Sequence, residues 1–218
     1  MKMQPIFVFA WRQAQRPMQL ISLMTLCFVL SAGYPSDLKS YPVLPANTPV
    51  PALVTVSEHY LRYIPTFVQV GLPLLLRDKV GLVQLLYVAI STTIATHAAK
   101  RFLNDRYVMA TRLGQRPSRN GSKHNMPSGH SSMASCAVYF VGKRYSIWLG
   151  FVLALFLLLT MYARVILNDH TESAVVAGAL LGFLLAAVFT SKRIDASPIT
   201  TQLKFSIRKF GFGHARKT

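Results

Sequence analysis

Two short segments of the sequence contain histidines beside residues that commonly bind phosphate. Residues 125–130 read Asn-Met-Pro-Ser-Gly-His and end at His130, and Arg164 is followed, after five residues, by His170. A second arginine, Arg116, stands before a proline upstream of the first segment. Apolar stretches connect these pieces, so helix ends can bring both histidines and both arginines to one side of a membrane.

These side chains match the requirements of phosphate-ester cleavage. The peripheral oxygens of a phosphate need fixed cations and N–H donors, while a nucleophile attacks in line and an acid protonates the leaving oxygen. The planar guanidinium of Arg116 fits two phosphate oxygens, and Ser128 and Gly129 lie where a helix can begin and present free N–H groups. An imidazole acts as a nucleophile when neutral and as an acid when protonated, so His130 and His170 can divide these roles.

The elements that position these residues are expected to be membrane helices, because about 20 apolar residues cross the hydrocarbon core as a helix. Four segments approach that length without a charge, namely residues 17–36, 80–99, 145–163 and 173–191. Two shorter apolar segments complete the set, residues 64–76 and 127–142. The predicted fold class is therefore all-α, a polytopic membrane protein with a bundle of six transmembrane helices.

The composition also indicates a membrane protein. Charged side chains make up 14% of the 218 residues, whereas soluble domains usually carry about a quarter. Lys and Arg number 24 against 7 Asp and Glu, which gives a formal net charge of +17. These cations flank apolar spans and do not form a soluble basic face. They therefore indicate an anionic membrane surface and an anionic substrate, not a nucleic acid.

The distribution of Lys and Arg predicts that residues 1–16 and a basic tail, residues 192–218, lie in the cytoplasm. The loop formed by residues 100–123 is then outside, although it carries seven cations and only one acidic residue. We interpret these cations as retained for a site at the outer, periplasmic interface of the membrane domain, residues 17–191. The preceding outer loop is rich in Pro, Ser and Thr and is expected to end in a short interfacial helix over residues 54–63.

A known family shows a similar pattern. The type 2 phosphatidic acid phosphatase superfamily, which includes membrane lipid phosphatases, has a three-part signature that resembles Arg-Pro at 116–117, Pro-Ser-Gly-His at 127–130 and Arg-x5-His at 164–170. The resemblance implies that His170 is the nucleophile that forms a phosphohistidine and that His130 protonates the leaving group. The phosphate-binding residues that it implies are Arg116, Arg164, Ser128 and Gly129.

The sequence departs from the family pattern at two positions. Met109 stands where the family usually has a lysine, and either Lys100 or Arg112 could supply that cation. We favour Lys100, because it ends the third predicted span as the family's lysine does. Ala174 stands where the family usually has an aspartate, four residues after the nucleophilic histidine. Two consequences stay open: slower turnover, or a main-chain carbonyl that orients the imidazole in place of the carboxylate.

We therefore expect a lipid phosphatase of a bacterial inner membrane that acts on a phospholipid or lipid A without a metal or other cofactor. Lipid A is favoured, because the cationic loop suits a bulky polyanionic headgroup and because the length and layout resemble the lipid A phosphatases of this superfamily. Undecaprenyl diphosphate, phosphatidylglycerol phosphate, phosphate transfer to an acceptor lipid and a non-catalytic lipid-binding role are the alternatives. The sequence does not predict the oligomeric state.

Overall fold

The computed structural model describes residues 3–41, 49–117 and 123–193, and within them the protein is mostly helical, as predicted. Two-residue strands, β1 (Tyr107–Val108) and β2 (Thr111–Arg112), pair in antiparallel fashion as a small hairpin. Short 3-10 turns cover Leu38–Ser40 and Leu61–Tyr63. The α-helices are α1 (Met3–Gln13), α2 (Met18–Ala32), α3 (Ala52–His59), α4 (Ile64–Leu75), α5 (Lys79–Leu103), α6 (Gly129–Arg144), α7 (Ile147–Ile166) and α8 (Glu172–Phe189).

Each of the six predicted apolar segments forms a helix, and these helices are α2 and α4 to α8. Among the described residues, α5, α7 and α8 are long and apolar enough to cross a membrane, and α2 is a shorter apolar helix. The predicted interfacial helix corresponds to α3, which begins two residues earlier, directly after Pro51. The predicted basic tail lies outside the described residues from position 194 onward.

The N-terminal segment contains a helix, α1, that the sequence analysis did not predict. The side-chain amide of Gln84 on α5 donates to the carbonyl oxygen of Ala10 at 3.0 Å. The Trp11 ring packs on Tyr87 and Phe189, with centroid separations of 5.8 and 5.5 Å. These contacts attach α1 to the beginning of α5 and the end of α8, at the end of the domain opposite the two histidine segments.

Helices α6 and α8 run parallel and approach each other very closely. The hydroxyl of Ser132 on α6 donates to the carbonyl oxygen of Gly178 on α8 at 2.9 Å. A β-carbon at Gly178 would collide with the carbonyl of Ser128, and one at Gly182 would collide with the carbonyl of Ser132. Small residues permit such close packing of membrane helices. The contact places the start of α6 directly beside the start of α8.

A buried ion pair fixes the opposite end of the bundle. Arg144, the last residue of α6, donates from Nε and Nη2 to the two carboxylate oxygens of Asp78 at 2.6 and 2.7 Å. Its Nη1 donates to Gln84 on α5 at 3.0 Å and to the carbonyl of Ser191, just after α8, at 3.0 Å. A bidentate guanidinium–carboxylate pair has a fixed geometry. The relative positions of α5, α6 and α8 are therefore set at both ends.

The close approach of α6 and α8 predicts that Gly178→Ala destabilises the protein. Overpacking a tight contact typically costs about 1–3 kcal/mol, because the added methyl group must push α8 away from Ser128. Thermal unfolding in detergent should show a lower melting temperature. Gly71→Ala on α4 is the matched control, because a β-carbon there meets no atom within 4 Å. Equal melting temperatures for the two variants would contradict this account of the packing.

Candidate active site

One cavity collects six of the seven predicted site residues. It has a volume of about 620 Å³ and extends from the start of α6 down between α4, α5 and α6. The predicted residues that line it are Lys100, Arg116, Gly129, His130, Arg164 and His170. Residues far apart in sequence therefore meet at the end of α5, at the start of α6, at the end of α7 and just before α8.

His170 is held in one tautomer by a main-chain carbonyl. The residue is 1% exposed, and its Nδ1 lies 2.7 Å from the carbonyl oxygen of Asn125. A carbonyl oxygen only accepts, so Nδ1 carries the proton and the lone pair of Nε2 is left for reaction. Burial, followed by the positive charges of Arg164, Arg116 and Lys100, holds the pKa of His170 well below its usual value of 6.5. The imidazole is therefore neutral at physiological pH, which is the form that a nucleophile needs.

Asn125 connects the three parts of the motif. Its side-chain Nδ2 donates to the carbonyl of Leu113 at 3.3 Å and to the hydroxyl of Thr171 at 3.2 Å. Its Oδ1 accepts from the main-chain N–H of Thr171 at 3.1 Å, and its own N–H donates to Gly114 at 2.9 Å. The segment before Arg116 and the segment at His170 are thus both fastened to Asn125. This arrangement supplies the main-chain carbonyl that the sequence analysis left open as a substitute for the family aspartate.

Ser128 is the predicted site residue that does not line the cavity. Its main-chain N–H donates to the carbonyl oxygen of Ala174 at 2.9 Å, and both residues are fully buried. The first hydrogen bond within α6 runs from Ser132 to the carbonyl of Ser128 at 3.1 Å. The N–H groups of Gly129 and His130 precede that bond, at the position where helix N–H groups are available to an anion. Ser128 therefore joins the start of α6 to α8, although the sequence predicted that it contacts phosphate.

Lys100 lines the cavity. The sequence favoured this residue over Arg112 as the cation that replaces the usual family lysine. The Lys100 ammonium nitrogen lies 4.0 Å from the point where a β-carbon of Gly129 would be. Arg112 instead pairs with Asp105. Met109, at the position of the usual family lysine, is 88% exposed in the turn between β1 and β2.

Two carboxylates position the arginines of the cavity. Nη1 of Arg164 lies 2.7 Å from Oε1 of Glu58 on α3 and 3.0 Å from Oδ2 of Asp169. The other oxygen of Asp169 lies 3.5 Å from Nη1 of Arg116, and Glu58 also pairs with Arg62. Asp169 therefore bridges the two guanidinium groups that the motif predicted. These acids hold cations together that would otherwise repel each other.

The contacts of Glu58, Asp169 and Asn125 at the cavity were not predicted from the sequence. Asp169 directly precedes His170, so its position next to the motif was a usable signal. Asn125 opens the segment that ends at His130, and its buried amide is typical of a residue that joins loops. Glu58 gave no signal, because it lies in a segment that was interpreted as an outer loop with an interfacial helix.

Comparisons with known proteins identify a matching family and three relatives. The sequence model of the PAP2 superfamily matches residues 81–196. Two proteins of Helicobacter pylori named Lipid A 1-phosphatase, from strains J99 and 26695, are 45% and 44% identical to this chain. The alignments cover 70% of this chain and 79% and 80% of those relatives.

A third relative, named Lipid A 4'-phosphatase in the J99 strain of Helicobacter pylori, is 32% identical over 61% of this chain and 67% of its own length. No solved structure matches the chain significantly. The family match and the relatives confirm the predicted class of enzyme, a phosphatase.

The carboxylate bridge predicts that Asp169→Asn lowers kcat/KM for phosphate release by about 10- to 100-fold, which corresponds to roughly 1.4–2.8 kcal/mol. The amide no longer neutralises Arg116 and Arg164, so the two guanidinium groups separate. Vanadate, an anion of similar shape to phosphate, should inhibit this variant more weakly than wild type. Asp105→Asn is the matched control, because Asp105 pairs with Arg112 outside the cavity. Equal kcat/KM values for the two variants would contradict a positioning role for Asp169.

Proposed function

Because the chain belongs to the PAP2 superfamily, we propose that it removes the phosphate group at position 1 of lipid A. The similarity to two relatives named Lipid A 1-phosphatase carries the choice of substrate. The cavity supports the reaction, since it combines cations for a phosphate with two imidazoles for the chemistry. The relative named Lipid A 4'-phosphatase is less similar, and the position of the removed phosphate is therefore part of the test.

In this proposal the phosphate binds between the guanidinium groups of Arg116 and Arg164 and the ammonium group of Lys100. The N–H groups at the start of α6, at Gly129 and His130, add neutral donors on the remaining side. Fixed donors of this kind stabilise charge that develops on the peripheral oxygens in the transition state. Ser128 contributes by holding the start of α6 against α8.

The reaction then proceeds in two displacements. Nε2 of His170 attacks phosphorus, and the bond between phosphorus and the lipid oxygen breaks while a protonated His130 gives its proton to that oxygen. A phosphohistidine and a dephosphorylated lipid result. Water then attacks the phosphohistidine and gives a proton to His130, which releases inorganic phosphate and restores both imidazoles.

We further propose that α2 and α4 to α8 form a six-helix bundle in a bacterial inner membrane, with the site on the periplasmic side and both termini in the cytoplasm. Support comes from the positions of the site residues. They lie at the end of α5, at the start of α6, at the end of α7 and directly before Thr171, which is the N-cap residue of α8. Large apolar side chains on α7 face outward, as lipid-facing residues do: Trp148, Phe151, Leu155 and Leu158. Lys100 and Arg116, the two described cations of this loop that line the cavity, then meet the anionic headgroup of the substrate.

Purified protein incubated with lipid A should release inorganic phosphate, and mass spectrometry should show the loss of one phosphate from position 1. His170→Ala should abolish the release, because no nucleophile remains. His130→Ala should lower the rate by about 10²–10⁴-fold, the usual contribution of a general acid.

His59→Ala is the matched control, because His59 is an exposed residue at the end of α3 that does not line the cavity. It should retain wild-type activity. Loss of the phosphate at position 4' would reassign the substrate position. Turnover by His170→Ala at the wild-type rate would contradict the proposed mechanism.

A further inference from the structure

The cavity continues beyond the phosphate end into a largely apolar region, whose polar lining residues are Thr66, Gln69, Thr92, Thr93, Thr96 and His97. Gln69, on α4, lines this region and is 6% exposed. Its side-chain amide makes no hydrogen bond to the described residues and is not among their enclosed unpaired polar atoms, so it faces the open space of the cavity. Thr92 and Thr96 on α5 also line the region, but Thr92 pairs with Cys136 at 3.2 Å and Thr96 donates to Ser132 at 3.5 Å.

An amide without a partner is costly in such surroundings. The group has two N–H donors and an oxygen that accepts twice, and a polar group that faces an apolar region of a membrane domain without a partner is unfavourable. A second buried glutamine of this chain shows the usual solution. Gln84 hydrogen-bonds Ala10, Arg144 and Ser191 at 3.0 to 3.3 Å. The contrast indicates that Gln69 is retained for a ligand that enters the cavity.

The depth of Gln69 defines which part of a ligand it meets. Thr92, Thr96 and Lys100 recur every four residues on α5 and therefore share one face, and Thr92 lies about 12 Å below Lys100 at 1.5 Å per residue. Arg62 pairs with Glu58 near the phosphate end. Gln69 comes seven residues later, which corresponds to about 10 Å of helix. When the phosphate of a lipid lies between the cations, its sugar ring points into the cavity. The first carbons of the acyl chain on that sugar are then at the level of Gln69.

We propose that this region of the cavity holds the first part of a substrate acyl chain and that the Gln69 amide hydrogen-bonds a polar group on it. The group is either the carboxamide that joins the chain to the sugar or a hydroxyl on the third carbon of the chain. The inference rests on the proposed function, since it places the phosphate between Arg116, Arg164 and Lys100. It makes the enzyme selective for lipid phosphates whose acyl chains carry such a group.

Three synthetic glucosamine 1-phosphates with one chain of equal length test the proposal. The first has an amide-linked chain with a hydroxyl at the third carbon, the second lacks the hydroxyl, and the third has a plain ester-linked chain. Wild type should favour the lipid with the recognised group by about tenfold in kcat/KM, the effect of one hydrogen bond to a buried partner. Gln69→Leu should remove this preference. A difference between the first and second lipids identifies the hydroxyl as the recognised group, and a difference between the second and third identifies the amide.

Two further variants separate recognition from a general disturbance of the cavity. Gln69→Asn keeps the amide and should keep part of the preference. Val70→Ala changes the neighbouring apolar residue, which also lines the cavity, and should alter kcat/KM for all three lipids by the same factor. Wild-type ratios in Gln69→Leu, or equal values for the three lipids in wild type, would overturn the proposal.

Failure of the proposed function gives a different result. Wild type would then release phosphate from none of the three lipids. In that case the increase in melting temperature caused by each lipid decides the inference. A larger increase with the recognised lipid in wild type, absent in Gln69→Leu, supports the role of Gln69, and equal increases in both proteins exclude it.

Discussion

The carbonyl of Asn125 and the Nδ1 of His170 form the hydrogen bond on which the site depends. It selects one tautomer of the imidazole, fixes the plane of the ring and leaves the lone pair of Nε2 free, as the proposed attack requires. The amide side chain of Asn125 adds bonds to Leu113 and Thr171, so the same residue fastens the loop before Arg116. A main-chain carbonyl thus does here what a carboxylate one helical turn after the histidine does in most of the family.

The charges around this imidazole explain how a cationic cluster remains stable beside a neutral ring. Arg116, Arg164 and Lys100 line the same cavity as His170, and burial and these charges keep the ring unprotonated. Asp169 and Glu58 neutralise part of the positive charge and set the direction of the guanidinium groups. The rigid frame comes from the glycine contacts between α6 and α8 and from the Arg144 ion pair at the far end. A small displacement of any of these helices would therefore change the distances between His170 and the surrounding cations.

The convergence of six predicted residues on one cavity could be expected from the sequence, because the motif residues are joined by helices whose lengths are readable from hydropathy. Lys100 could also be predicted as the replacement for the usual lysine, since it ends the third predicted span. The structure places Arg112 in the hairpin. Glu58 could not be predicted, because its contact with Arg164 joins residues 106 positions apart and its helix has no clear pattern. Ser128 was predicted to bind phosphate because it stands at a helix start within the Pro-Ser-Gly-His segment. Its burial depends on how closely α8 packs, which the sequence does not indicate.

Identification of the phosphorylated atom tests the central claim most directly. Wild-type protein should be mixed with substrate and quenched within the first turnover, and the modified peptide should be mapped by mass spectrometry and phosphorus NMR. The hydrogen bond to Asn125 protects Nδ1 of His170, so the phosphate should be attached to Nε2 of this residue. Phosphate on Nδ1, on His130 or on another residue would contradict the account.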